Sequence, residues 1–228
     1  MAVIRFSEAI NDARGSAGGT VFSRNRFGAY MRARTAPINP NSPSQISSRQ
    51  LLNTMATYWR DTLSQANRDG WDLYAENTDW LNKIGQTVNL TGLNHYCRAN
   101  RIRLAAGESA VHTYPTAYGL PNQEELWTLA VDSTTGLATI TFTFAADVDD
   151  QVYQFFAGKP VSGSRNYFGG PWRYMDSVIG DSTTPPTSPI TPTYPYPLVA
   201  GAKAFVYCVR VDADNRASLP FRQSAIVT

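Results

Sequence analysis

Apolar and polar residues follow three different rhythms along this chain, and the changes of rhythm divide it. Leu52, Met55, Ala56, Trp59 and Leu63 recur at i, i+3, i+4, i+7 and i+11. That stripe predicts an amphipathic helix of about five turns. Ser42-Pro43 opens it, with a hydroxyl as N-cap and proline at the first position, where its missing N–H costs nothing. Ser64 breaks the run and caps a second helix reaching Tyr74–Asn77, with Trp71, Tyr74 and Ala75 inward. Gly70 weakens that helix. Residues 78–90 read as a loop or short turn. Thr91 caps a third helix to about Ala106, with Leu93, Tyr96, Cys97 and Leu104 inward and Gly107 as its stop.

Beyond Val111 the period falls to two. In residues 137–145, Leu137, Thr139, Thr141 and Thr143 alternate with Ala138, Ile140, Phe142 and Phe144, the pattern of a strand with one wet face. Residues 152–158 and 204–213 read likewise, 212–216 form a turn, and 222–227 return as a last strand. Residues 126–132 and 172–180 are weaker strands. About seven short strands predict an antiparallel, immunoglobulin-like β-sandwich. Residues 181–197 carry six prolines, so they form a long connection or an edge and not a central strand.

The front of the chain has neither rhythm in full. Gly15, Gly18, Gly19 and Gly28 interrupt residues 14–36 and exclude a helix there. Two extended pieces, 19–24 and 28–34, flank Arg26-Phe27-Gly28. They predict a hairpin, or strands laid on the sheet edge of another chain. Pro37, Pro40 and Pro43 make residues 35–44 a semi-rigid linker. The expected fold class is α+β in two parts. Residues 1–41 form an extended basic arm and linker, 42–111 a helical region, and 112–228 the β-sandwich domain.

Charge sharpens this division. Net charge over the 228 residues is only +2, but residues 1–50 carry seven Arg against Glu8 and Asp12. Residues 112–228 carry seven basic against ten acidic residues. A basic front and an acidic back point to an arm that seeks an acidic partner. No Lys occurs before Lys83. Arginine in place of lysine favours bidentate and stacked contacts. Val21, Phe22, Phe27 and Tyr30 interleave with Arg24, Arg26, Arg32 and Arg34, which makes this set a subunit interface in preference to a nucleic-acid site. At 43% apolar residues a core can form. No apolar run is long enough to span a membrane, and the start lacks a secretory pattern, so synthesis in the cytosol is expected.

Candidate chemistry is sparse. Cys97 and Cys208 lack metal-site spacing and read as small hydrophobes. His95 and His112 have no nucleophile motif beside them. Gly15, Gly18 and Gly19 lack the Lys-Ser/Thr of a phosphate loop. Asp147, Asp149 and Asp150 lack the glycine and distal Glu of a calcium loop. No cofactor, metal or catalytic residue is expected, and the chain reads as a non-enzyme. Trp59, Trp71, Trp80, Tyr58, Tyr74 and Tyr96 have helical spacing and read as core. Tyr167, Phe168, Trp172 and Tyr174 surround the turn Gly169-Gly170-Pro171. They are either a surface that binds sugar or protein, or a hairpin tip folded onto the sandwich.

Residues 14–104 also carry an ordered pattern: Gly19, Phe22, Tyr30, Arg32, Pro40, Trp59, Arg68, Trp71, Gly92, Asn94 and Tyr96. It resembles structural proteins of tailed bacteriophages and their prophage relatives, which share a Gly/Arg-rich start, an Asn-Pro linker, a tryptophan-bearing helix pair and a Leu-Thr-Gly-x-Asn-x-Tyr segment. The C-terminal half, through residues 207–221, resembles fibronectin-type and immunoglobulin-like modules generically. The resemblance implies a virion protein, as a head decoration, cement or minor capsid protein or as a tail or neck protein. Its expected partners are a major capsid or tail protein and further copies of itself, as a homo-oligomer. A nucleic-acid-binding accessory protein and a carbohydrate-binding module are the competing expectations.

Overall fold

The structure, a computed structural model, describes residues 2–4, 12–25, 27–36, 39–82, 85–143, 146 and 148–228. Glu8, Arg26, Pro37, Lys83, Phe144 and Asp147, named above, lie outside the described residues.

The arm folds as a small antiparallel sheet. Strands β1 (Ala2–Val3), β2 (Gly15–Ala17), β3 (Thr20–Asn25) and β4 (Gly28–Ala33) lie in the order β1-β4-β3-β2. The β3–β4 hairpin forms where it was expected, with Asn25 opposite Gly28. Gly28 has a φ of +110°, which a side-chain-bearing residue rarely adopts. The two flanking strands are too short to be seen in the sequence.

Three helices follow: α1 (Pro43–Thr57), α2 (Gln65–Glu76) and α3 (Gly92–Ala105). Ser42, Ser64 and Thr91 cap them, accepting from the backbone N–H of Gln45, Asn67 and Asn94. Gly107, at φ +90°, follows the end of α3. The α1 stripe differs from the expectation. Met55 and Leu63 are buried, but Leu52 is 56% exposed and Ala56 faces solvent. Trp59 packs inward as expected, and Leu51 and Tyr58 join it in place of Leu52 and Ala56. The cause is a π-helical turn over Tyr58–Thr62, where Leu63 N–H bonds Tyr58 O. The extra residue rotates the helix phase. Between α2 and α3, β5 (Trp80–Leu81) and β6 (Thr87–Val88) pair where a plain loop was expected.

The C-terminal part has two antiparallel layers. β7 (Trp127–Asp132) and β8 (Leu137–Phe142) form a hairpin. β9 (Val152–Gly158), β10 (Trp172–Ile179), β11 (Lys203–Val211) and β12 (Phe221–Ile226) form a sheet in the order β10-β9-β11-β12. The proline-rich stretch runs along β8 as an edge, with bridges Ile140–Ile190 and Leu137–Thr193. Trp127, Ile140 and Phe142 from one layer and Phe155, Val206 and Cys208 from the other enclose the larger core.

β9 and β11 were expected to alternate between core and solvent, yet both are buried on both faces over much of their length. Their outer face is covered by α3: Ala99 and Ile102 pack on Val152, Val209 and Val211. Two arginines fasten this contact. Arg98 donates to the carbonyls of Ala217, at 2.7 Å, and of Ser218. Arg103, 1% exposed, pairs with Asp150 at 2.7 Å. The helical region and the β layers therefore share a dry interface.

Candidate functional sites on the arm and the aromatic sheet face

The arm's register sorts its side chains onto two faces. Phe22 lies opposite Met31 and Arg24 opposite Ala29 on one face. Val21 opposite Arg32 and Ser23 opposite Tyr30 share the other. Each face thus carries apolar and basic groups together, as an interface requires. Among the described arm residues Ala29 alone is buried, at 9% exposure. Val21, Phe22, Phe27 and Tyr30 are half-buried, and Arg24, Arg32 and Arg34 are exposed, with no carboxylate paired to them among the described residues. Arg26 lies outside the described residues. None of the three buried clusters contains an arm residue. A hydrogen bond from Asn82 Nδ2 to Phe27 O, 3.4 Å, links the arm to the β5–β6 hairpin.

The second candidate is the part of the four-stranded sheet that α3 leaves open. Tyr174, Phe156, Tyr207 and Arg222 stand side by side across β10, β9, β11 and β12. Phe156 stacks on Tyr207 with centroids 4.8 Å apart and meets Tyr174 edge-on at 6.0 Å. The next row contains Trp172 and Gly158. Phe168, from the loop between β9 and β10, lies over Gly158, where any Cβ would strike its ring. It is 7% exposed, edge-on to Trp172 at 5.0 Å and stacked on Phe205 at 6.0 Å. The four loop aromatics therefore split. Phe168 is a plug, which removes it from any binding surface, and Trp172 is half-buried. Tyr167 at 66% and Tyr174 at 45% are exposed. Arg222 sits over both Tyr167, at 5.3 Å, and Trp172, at 5.7 Å.

The aromatics of the helices are packing groups. Trp71, Tyr74 and Tyr96 are buried. Trp71 lies edge-on to Tyr96 at 5.6 Å and donates its indole N–H to His112 O. Tyr96 OH meets His112 Nδ1 at 2.9 Å. Five residues of the ordered pattern, Trp59, Arg68, Trp71, Gly92 and Tyr96, lie at this junction. Arg68 donates to the carbonyls of Trp59 and Arg60, both at 3.1 Å, which the π-turn leaves open. Gly92 N–H bonds Asp72 Oδ1 at 3.0 Å, and a Cβ on Gly92 would lie 2.6 Å from Asp72 N. These five serve packing, while Asn94 is exposed and the pattern's other five residues belong to the arm and linker.

The titratable groups here answer mainly to burial. Desolvation, assisted by the Arg98 charge, lowers His95 to about 4. Burial raises Cys97 to about 11 and Cys208 well above its usual value, so both thiols stay protonated and poorly nucleophilic. Neither joins a disulfide. Asp149 accepts from Ser182 N–H and hydroxyl, and Asp150 pairs with Arg103. Both serve as structural acceptors in a turn. Among the described residues no acidic, cysteine or histidine cluster is arranged to hold a metal, and no helix is long and apolar enough to cross a membrane.

No protein-family model matches the chain, and no curated protein matches it. A solved structure, a Fn3-like protein from Clostridium thermocellum, aligns with 45% of this chain and 85% of its own. The identity is 19% and the TM-score 0.28.

Proposed function

We propose that this chain is a non-enzymatic structural component of a bacteriophage virion, and that its arm joins it to neighbouring subunits. The observation that carries this reading is the arm sheet: four short strands, apolar groups on both faces, and no buried cluster beneath them among the described residues. A sheet this small, two of its four strands only two or three residues long, gains stability by being covered. Its outer strands, β1 and β2, have no further strand paired to them among the described residues, which suits strand addition. Exposed Arg24, Arg32 and Arg34 suit the acidic rim of such a partner.

The finer architecture belongs to the same proposal. The two layers are an immunoglobulin-like or fibronectin-type sandwich, projecting from the particle while the helices seat the chain near the shell. A head decoration or minor capsid position is favoured, with the major capsid protein as partner; a tail or neck position is the nearest alternative. The test is mass spectrometry of purified particles from the phage or induced prophage that encodes the chain. Stoichiometric presence supports the reading, and absence from the particles ends it. A second reading rests on the same unpaired arginines: nucleic-acid binding by the arm. It predicts affinity that falls steeply with salt and disappears when Arg24, Arg32 and Arg34 are changed to Ala.

A further inference from the structure

Where α3 ends, it no longer covers the sheet. There the first turns of α1, the end of α3 and the outer sheet face enclose a groove of about 730 Å³. Phe156, Trp172 and Tyr174 make its floor. Ser44, Ser47 and Ser48 line the α1 side, and Arg101 and Arg173 stand at its rim. Gln154 also lines it; this residue is 2% exposed, and its Nε2 donor finds no acceptor. Gln45 N–H is capped by Ser42 Oγ and Ile46 N–H bonds Ser42 O, while Pro43 has no N–H. The first turn of α1 contains no acidic residue and no acid lines the groove. Arg173 is already engaged by Pro195 O at 3.2 Å and the Tyr196 ring at 4.5 Å. Arg101 is exposed and has no carboxylate paired to it among the described residues.

We infer that this groove binds a carboxylate-bearing saccharide. A sugar ring presents a C–H face that packs on aromatic rings and hydroxyl edges that pair with Ser side chains. Its carboxylate meets the Arg101 guanidinium, whose fork of donors favours an anion. An acidic peptide would satisfy Arg101 but would leave the aromatic floor and hydroxyl wall unused. This inference is independent of the virion proposal.

The experiment is an array of uronic- and sialic-acid glycans, each printed beside its carboxyl-reduced counterpart and probed with the full chain, followed by calorimetry on the glycans retained. Binding is expected to acidic members, about tenfold weaker to reduced ones, one charge-assisted contact being worth that much. Arg101→Gln should bring the acid down to the level of its reduced form. Tyr174→Ala should weaken both about tenfold, while Tyr167→Ala, outside the groove, leaves them unchanged. Arg101 and Tyr174 are exposed, so both variants fold, as circular dichroism would verify. Retention of no acidic glycan overturns the inference. So does equal binding to reduced partners, indifference to both variants, or equal affinity for a polyglutamate peptide.

Discussion

Gly92 is held between two helices: its N–H bonds the Asp72 carboxylate, and the space for a Cβ is filled by the α2 backbone. Because backbone cannot yield as a side-chain tip does, Gly92→Ala should destabilise the chain by about 2–3 kcal/mol in denaturant unfolding. Gly19→Ala, with open space around it, should change little. His95 makes a pH-dependent prediction. It is 3% exposed, beside Arg98 and edge-on to the Tyr74 ring. Its imidazole titrates at about 4 in the fold against 6.5 when free. Between those values the unfolded chain takes up a proton that the fold refuses, so stability falls as pH drops from 6.5 to 4 and is unaffected above. The full loss is on the order of 3 kcal/mol. His95→Phe should flatten that part of a stability-versus-pH curve.

Among the elements, α3 does most to join the molecule, since it packs on α2 with one face and on β9 and β11 with another. Arg98→Ala would strip the carbonyls of Ala217 and Ser218 of their donor. Burial lowers Arg98 to about 10, so the side chain stays charged at neutral pH and needs its carbonyl acceptors. The expected loss is about 2–3 kcal/mol, and it should appear equally in far-ultraviolet dichroism and aromatic fluorescence because one interface is weakened. Much of this element level was legible in the sequence. Ser42, Ser64, Thr91 and Gly107 mark helix ends by local chemistry alone, and Ala138, Ile140 and Phe142 face inward as their period required. The rest depended on tertiary contact. No periodicity announces that α3 covers β9, or that a π-turn rotates Leu52 outward. Strands of two or three residues carry no pattern. The groove draws Ser44, Arg101, Phe156 and Trp172 from four distant segments, and Phe168 looked like its equals in sequence until its ring was seen to fill the space over Gly158.

For the molecule as a whole, the basic front of the chain contributes no residue to a buried cluster among the described residues, and it stands beside a body that has three. Removing residues 1–41 should therefore leave the thermal midpoint of the body within about 2 °C of the full chain, while abolishing incorporation into particles. The arm's apolar residues lie on both faces and its arginines on both, so its complement is a surface that wraps it or a sheet edge that extends it. Hydrogen exchange across Thr20–Ala33, compared between the free chain and purified particles, tests this most directly. The account predicts rapid exchange of the β3–β4 amides in the free chain and strong protection in the particle. Equal exchange in the two states would contradict it.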